Sequence, residues 1–285
     1  MRFAFTGVDR NLSLLDALLA AGWTLTKLFT APAAPGQLGS NRAIVDRAQA
    51  LGAPVQLSML QDGDLEQLGA QGCEALVCGS YNWRIGDWRP HLRFAVNFHP
   101  SPLPEGRGPY PLFRAILEGR AAWGVACHKL ERAFDSGDIL AAEAIPLSPL
   151  ETHESLDLKT QMAFGRLAGR VASGFVALWD AATPQGRGSY WKLESDAERT
   201  LDFASPVDDI MRRVRAFGLT ETIALVNGRT VYVRRAAGWT ETHAHAPGSV
   251  VHADGRRSVV AALDGYIALI EWSPVPLAAA DAVGR

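Results

Sequence analysis

An α/β domain on a largely parallel sheet, followed by a small β-rich domain, is the fold this sequence predicts. Three observations carry it. Short apolar runs alternate with helix-like segments of about ten residues through the first 120 residues, the mark of βαβ units. Two strand-like runs then follow one another directly, WGVACHKLER and DILAAEAIPLS, so the sheet gains a β-rich edge. Beyond residue 205, Asn227-Gly228, Asp254-Gly255 and Asp264-Gly265 each sit between β-branched or aromatic runs, which is hairpin chemistry.

Taken in order, RFAFTG reads as a strand, NLSLLDALLAAG as a helix and WTLTKLFT as a second strand. A helix over Asn41 to Leu51, a strand PVQLSM and a helix DLEQLGAQG come next. EALVCGS and FAVNFHP read as strands, and PLFRAILEG as a helix closed by Gly119. From Thr152, Leu156, Ala163, Leu167, Val171, Phe175 and Leu178 recur at helical spacings and form one apolar face. The polar run TPQGRGSYWKLESDAERTLDF reads as a linker. Ser205-Pro206 opens a helix with Ser205 as N-cap and Pro206 in the first helical position. The expected division is 1–182 for the α/β domain, 183–204 for the linker and 205–285 for the β-rich domain.

Composition narrows the function. The 285 residues are 48% hydrophobic and 20% charged with net charge -2, a globular balance with no electrostatic footprint for a polyanion or an acidic membrane. Cys73, Cys78 and Cys127 are odd in number and lack CxxC spacing, as expected of reduced thiols. MRFAFTGVDR lacks the pattern of a signal peptide, and no apolar run reaches the ~20 residues of a membrane span. A cytoplasmic protein is expected. His243 and His245 in THAHAP have no carboxylate or Cys at ligand spacing, so no metal is expected. GxGxxG, GxxxxGK[ST] and GxSxG are missing, which argues against a dinucleotide, a nucleoside triphosphate or a nucleophile-elbow hydrolase.

The chemistry concentrates in two stretches. In VNFHPSPLPEGRGPYP, Asn97 and His99 lie two apart in a strand and project from one face at its C-terminal end, where open α/β sheets place ligands. Pro100, Pro102 and Pro104 stiffen the loop beyond. In FDSGDIL, Asp135 and Asp138 flank a Ser-Gly turn. Each stretch alone also suits a plain strand end or a plain turn.

Together, NFHPSPLPEGRGPYPLFRAILEG and GVACHKLERAFDSGDIL resemble the folate-dependent formyltransferase family. Its hallmark is Asn-x-His, a Ser-Leu-Leu-Pro-like loop, Arg-Gly, a Pro-led helix ending in Gly, then Gly-Val-Thr and Asp-x-Gly-Asp. Pro102 stands where Leu is commoner, and Cys127 follows Val125-Ala126 where Thr is frequent. The tail from SYWKLESDAERTLDF through RRVRAFG resembles the family's linker and C-terminal domain.

The resemblance implies a Rossmann-like catalytic domain with an OB-like second domain, and 10-formyltetrahydrofolate as formyl donor. It implies Asn97, His99 and Asp135 as the catalytic trio. The implied folate contacts are Gly79, Ser80, Tyr81, Asn82, Trp83, Ser101, Leu103, Ala133, Phe134, Gly137 and Asp138. CGSYNWRI departs there from the usual Tyr-Gly-containing form. Arg107, Gly108 and Tyr110 are the implied acceptor contacts, with Arg107 read equally well as a loop anchor.

The residue types suit the chemistry. An Asn amide can donate to a developing oxyanion, His can take a proton near neutrality or stabilise negative charge as imidazolium, and an adjacent Asp orients the imidazole and raises its pKa; the residue types leave open which of His99 and Asp135 takes the amine proton. Family members act on methionyl-tRNA, glycinamide ribonucleotide, amino-sugar nucleotides or hydroxyornithine, and relatives hydrolyse the formyl group. From Leu201 onward nine Arg and no Lys face nine Asp plus Glu, a neutral balance that points to a small-molecule amine, first an amino-sugar nucleotide. Methionyl-tRNA ranks second, then hydroxyornithine or hydrolysis. The chain also allows a homodimer.

Overall fold

The structure, a computed structural model, describes residues 1–32, 40–81 and 83–276. In chain order the elements are β1 Arg2–Thr6, α1 Leu12–Ala20, β2 Thr24–Phe29, α2 Arg42–Ala50, β3 Val55–Gln56, α3 Asp62–Ala70, β4 Ala75–Cys78 and β5 Phe94–His99. Then come α4 Leu112–Leu117, β6 Ala122–Lys129, β7 Ile139–Pro146, α5 His153–Ser173, α6 Phe175–Asp180, α7 Asp196–Arg199 and α8 Val207–Phe217. Strands β8 Thr222–Val226, β9 Arg229–Thr240, β10 Val250–Ala253, β11 Ser258–Ala261 and β12 Gly265–Ser273 complete them.

Two compact units divide the chain. The first holds Met1–Pro111, Ala122–Pro146 and Leu158–Trp191; the second holds Leu112–Ala121, Leu147–Asp157 and the chain from Lys192 onward. The first unit carries a seven-stranded sheet in the order β3-β2-β1-β4-β5-β6-β7. Pairing is parallel as far as β5, while β5–β6 and β6–β7 are antiparallel. The α/β sheet with its β-rich edge is therefore present as read.

Hydrophobic burial explains why these runs pair. β1 and β4 are buried along most of their length, as strands covered on both faces must be. One side gathers Phe29, Leu65, Leu68, Leu76 and Trp88. Elsewhere in the unit Phe175 meets Trp23 and Phe94 edge-on, each at 5.1 Å between ring centroids. The apolar face read from Leu156 to Phe175 is buried, and the helix breaks at Gly174 into α5 and α6. The third strand is shorter than PVQLSM, because its partner β2 ends at Phe29 opposite Gln56, and Leu57 and Met59 face solvent.

The second unit holds a five-stranded antiparallel sheet, β10-β11-β12-β9-β8, with all three Asx-Gly turns at hairpin connections. Asn227 and Gly228 both take positive φ, as a two-residue primed turn requires. Helix α8 buries Val207, Ile210 and Val214 with Val233, Ile267 and Leu269 of the sheet.

Its start differs from the sequence reading by one residue. Pro206 is the N-cap, Ser205 bonds to Asp202, and the Val207 N–H donates to Asp264 Oδ1 at 2.8 Å. A carboxylate 57 residues downstream does the capping that a local Ser was expected to do.

Residues 183–191, read as linker, are bonded into the first unit. Thr183 and Ile139 exchange backbone hydrogen bonds of 2.9 and 2.8 Å, and Trp191 N–H donates to Arg107 O at 2.7 Å. Trp191 also stacks on Trp123 with 5.4 Å between centroids. α7 follows in the second unit, capped by Ser195 with Glu198 closing a capping box.

Candidate active site

Strand β5 sets the site. Asn97 and His99 share one face, while Phe98 turns to the other and meets Phe164 of α5 at 6.1 Å. The antiparallel partner β6 places His128 opposite Asn97 in register, and the loop between β6 and β7 carries Asp135 back over both. Asp135 adopts φ +53°, a left-handed backbone that few non-Gly residues take.

Asp135 is the hub. Its Oδ1 lies 3.3 Å from Asn97 Nδ2, 3.4 Å from His99 Nδ1 and 3.7 Å from His128 Nε2. Its Oδ2 accepts the Gly108 N–H at 2.9 Å. Gly108 is needed there for two reasons: φ is +103°, and a Cβ would run into the Trp191 carbonyl.

Hydrogen-bond directions follow from the partners. A carbonyl only accepts, so His99 Nε2–H donates to Gly106 O at 2.8 Å. Neutral His99 thus presents the Nδ1 lone pair to Asp135, and only the imidazolium satisfies both contacts. His128 Nδ1–H donates to Lys129 O at 2.8 Å, which leaves Nε2 to accept from Asn97 Nδ2 at 3.1 Å. Both Asn97 N–H groups are therefore engaged, one by His128 and one, longer, by Asp135.

Burial opposes charge on this cluster. It lowers the His99 pKa below 6.5, outweighing the upward pull of Asp135 and of the Gly106 carbonyl. For Asp135, burial pushes upward, but His99 and the Gly108 N–H prevail and bring it down to about 2. The sign for stability is the same for both groups. Between pH 6.5 and the lowered His99 value, the unfolded chain binds a proton that the folded chain refuses, so stability falls on acidification. Asp135, at about 2 against an ordinary 3.8, contributes on the order of 2 kcal/mol that is present above pH 3.8 and lost as pH falls through 2. Urea midpoints should accordingly drop in two stages, below 6.5 and again below 3.8, with Asp135→Asn losing the second.

The remaining sequence-predicted positions divide. Gly79 N–H donates to Thr6 O at the end of β4. Ser80 is partly exposed, and Trp83 meets Tyr81 edge-on at 5.2 Å. The Tyr81 hydroxyl accepts from Leu60 N–H at 2.6 Å, and Asn82 lies outside the described residues. Ser101 is buried with its hydroxyl on Glu105 O, and Leu103 is buried. Phe134 is 48% exposed, and Arg84 lies 5.3 Å over its ring, so the 78–85 and 133–138 segments meet. Ser136 bonds to Ala133 O, and Asp138 pairs with Lys129 at 3.2 Å. A Cβ at Gly137 would collide with the Lys129 carbonyl.

The Arg107 side chain is bonded to the segment 183–191. Its guanidinium donates to Gln185 Oε1 and Gly186 O at 2.9 and 3.1 Å. Tyr110 takes φ +55° with Arg10 5.3 Å over its ring.

His128 and Gln185 were missed by sequence reasoning. His128 carried one usable signal, its place in a strand next to β5. All three thiols are buried, and burial pushes Cys78 up to about 12. Among the described residues no group of three or more His, Cys, Asp or Glu is placed to hold a metal ion, and no helix is long and apolar enough to cross a membrane.

Residues 89–167 match the formyl transferase family model, and residues 194–280 match that of the formyl transferase C-terminal domain. Methionyl-tRNA formyltransferase of Bordetella bronchiseptica is 30% identical over 95% of this chain and 94% of its own. That of Bordetella petrii is 31% identical over 95% and 91%. The chain belongs to the formyl transferase family.

Solved structures show the same fold at lower identity. An N-formyltransferase from Helicobacter canadensis, in complex with folinic acid and dTDP-3-aminofucose, superposes with a TM-score of 0.65 at 13% identity, over 95% of this chain and 99% of that one. HypX from Aquifex aeolicus in complex with tetrahydrofolic acid gives 0.64 at 19% identity, over 94% of this formyl transferase and 43% of that chain.

Proposed function

We propose that this formyl transferase moves a formyl group from 10-formyltetrahydrofolate to a primary amine. The observation that carries the reading is the convergence of Asn97, His99 and His128 on one carboxylate, Asp135. The donor supplies an activated one-carbon acyl group. Residues 78–85 and 133–138 would hold it, and they fit on one count: the half-exposed Phe134 ring offers a flat apolar face beside Asp135. Structural neighbours in complex with tetrahydrofolic acid and with folinic acid support a folate as the co-substrate.

Proton handling falls to the Asp135–His99 pair. Asp135 is too acidic to keep the amine proton, whereas His99 gains a full set of hydrogen bonds on taking it at Nδ1. Asn97 steadies negative charge on the reacting oxygen by exchanging its longer bond, the one to Asp135, for that oxygen. Gly108 N–H keeps the carboxylate aimed during the exchange.

For the acceptor, the near-full-length relatives favour methionyl-tRNA over the amino-sugar nucleotide that composition put first. One observation keeps the sugar nucleotide as second reading. In the second unit Arg212, Arg234 and Arg257 pair with Asp209, Glu221 and Asp254, which reduces the charge open to phosphates.

Separate incubations with 10-formyltetrahydrofolate and either charged initiator tRNA or amino-sugar nucleotides decide between them. Label is expected on methionyl-tRNA. Label only on a sugar nucleotide reverses the order, and formate released without any acceptor replaces transfer by hydrolysis.

A further inference from the structure

Gln185 joins the two halves of the site. Its Nε2 donates to the backbone carbonyls of Asp135 and Gly137 at 2.9 and 2.7 Å. Its Oε1 accepts from Arg107 Nε at 2.9 Å. One amide thus ties the loop bearing Asp135 to the loop that follows His99.

The segment around it repeats the pattern in main chain. Arg107 N–H donates to Ser189 O at 3.0 Å, Gly106 N–H to Ser189 Oγ at 2.9 Å, and Ser189 N–H to Pro104 O at 3.2 Å. Thr183, two residues before Gln185, pairs with Ile139 just past the Asp135 loop. Residues 183–191 therefore run as a strap from one loop to the other.

Two features make the amide specific. A side chain here must donate twice and accept once, which Gln can do; Glu would set an acceptor against two carbonyls. Asp135 also holds a left-handed backbone, φ +53°, that persists only where its surroundings hold it. The carboxylate end is held by Gly108, and the carbonyl end by Gln185.

We infer that Gln185 is a positioning residue: through the Asp135 and Gly137 carbonyls it keeps the Asp135 carboxylate registered on His99 and Asn97. This rests on reading Asp135 as part of the reacting trio. The shift it maintains is small in space, and misplacement by about 1 Å at a reacting centre can cost ~100-fold in rate.

The test uses the full chain with Gln185→Met, which keeps length and removes every hydrogen bond, and Gln185→Glu, which keeps the Arg107 contact and removes both donors. For each, kcat and KM for charged initiator methionyl-tRNA, the Tm, and the His99 imidazole titration by NMR are measured beside wild type. Both variants are expected to lose kcat on the order of tenfold, with KM within about twofold and Tm nearly unchanged. In Gln185→Met, His99 should titrate at lower pH than in wild type, because a displaced Asp135 supports its cation less.

Wild-type kcat in either variant overturns the inference, as does a kcat loss matched by loss of folded protein with His99 titrating unchanged. If wild type itself transfers formyl to no acceptor, the functional reading fails. The titration then decides Gln185 alone: a lowered His99 supports it, and an unmoved His99 overturns it.

Discussion

His99→Ala is expected to lower kcat by roughly 10²–10⁴, the range that a positioned acid–base group supplies. Folding should survive. The ring is buried, but it lies at the C-terminal end of β5, and its neighbours Phe98 and Val96 keep that strand in the core. What the variant loses is the Nδ1 lone pair that faces Asp135 Oδ1 at 3.4 Å. The measurement is single-turnover formyl transfer at saturating donor and acceptor, with the urea midpoint as the folding control. Wild-type turnover in this variant removes His99 from the mechanism.

Asp135→Asn should cost on the order of 10²–10³ in kcat and also move the pH profile. The carboxylate raises the His99 pKa against a larger downward push from burial. Without that charge the His99 value drops further, so the acid limb of log kcat against pH shifts to lower pH in the variant. The direction distinguishes this account from one in which Asp135 is itself the titrating base. In that case the acid limb belongs to a group near 2 and disappears when the carboxylate is removed. An acid limb that stays in place shows that Asp135 does not act through His99.

Part of the proposed site is legible in the chain because it is local. Asn97 and His99 share a face by the two-residue period of a strand, and the run FDSGDIL marks its own turn. The glycines were legible as letters, yet their reasons were not. Gly108 is required by the Trp191 carbonyl, which approaches from 83 residues downstream, and no local pattern encodes that approach. His128 was passed over for a similar reason. Its neighbours read as an edge strand, and only the β5–β6 register brings its Nε2 to Asn97.

The polar run TPQGRGSYW differs in the opposite sense. Gly, Pro and Ser without periodicity are the composition of a linker. Here those residues satisfy backbone groups of two other loops, and hydrogen bonding of that kind leaves no hydrophobic pattern behind. Ser205 reads as a cap on local rules, and Asp264 takes the role because the sheet of its unit brings it to the first N–H of α8.

By itself the sequence determined the α/β-then-β order and the apolar faces that drive it, because period and turn chemistry are written in neighbouring residues, while Asn97, His99 and Asp135 stood out as a proposed trio only through the family resemblance of their two stretches. Tertiary structure alone decided the state of that trio. Burial and the approach of Gly106, Gly108, His128 and Gln185 set its charges and donor directions, and these contacts join residues 7 to 50 positions apart. Long-range packing, carrying no local signature, is what turned three polar side chains into one electrostatic unit.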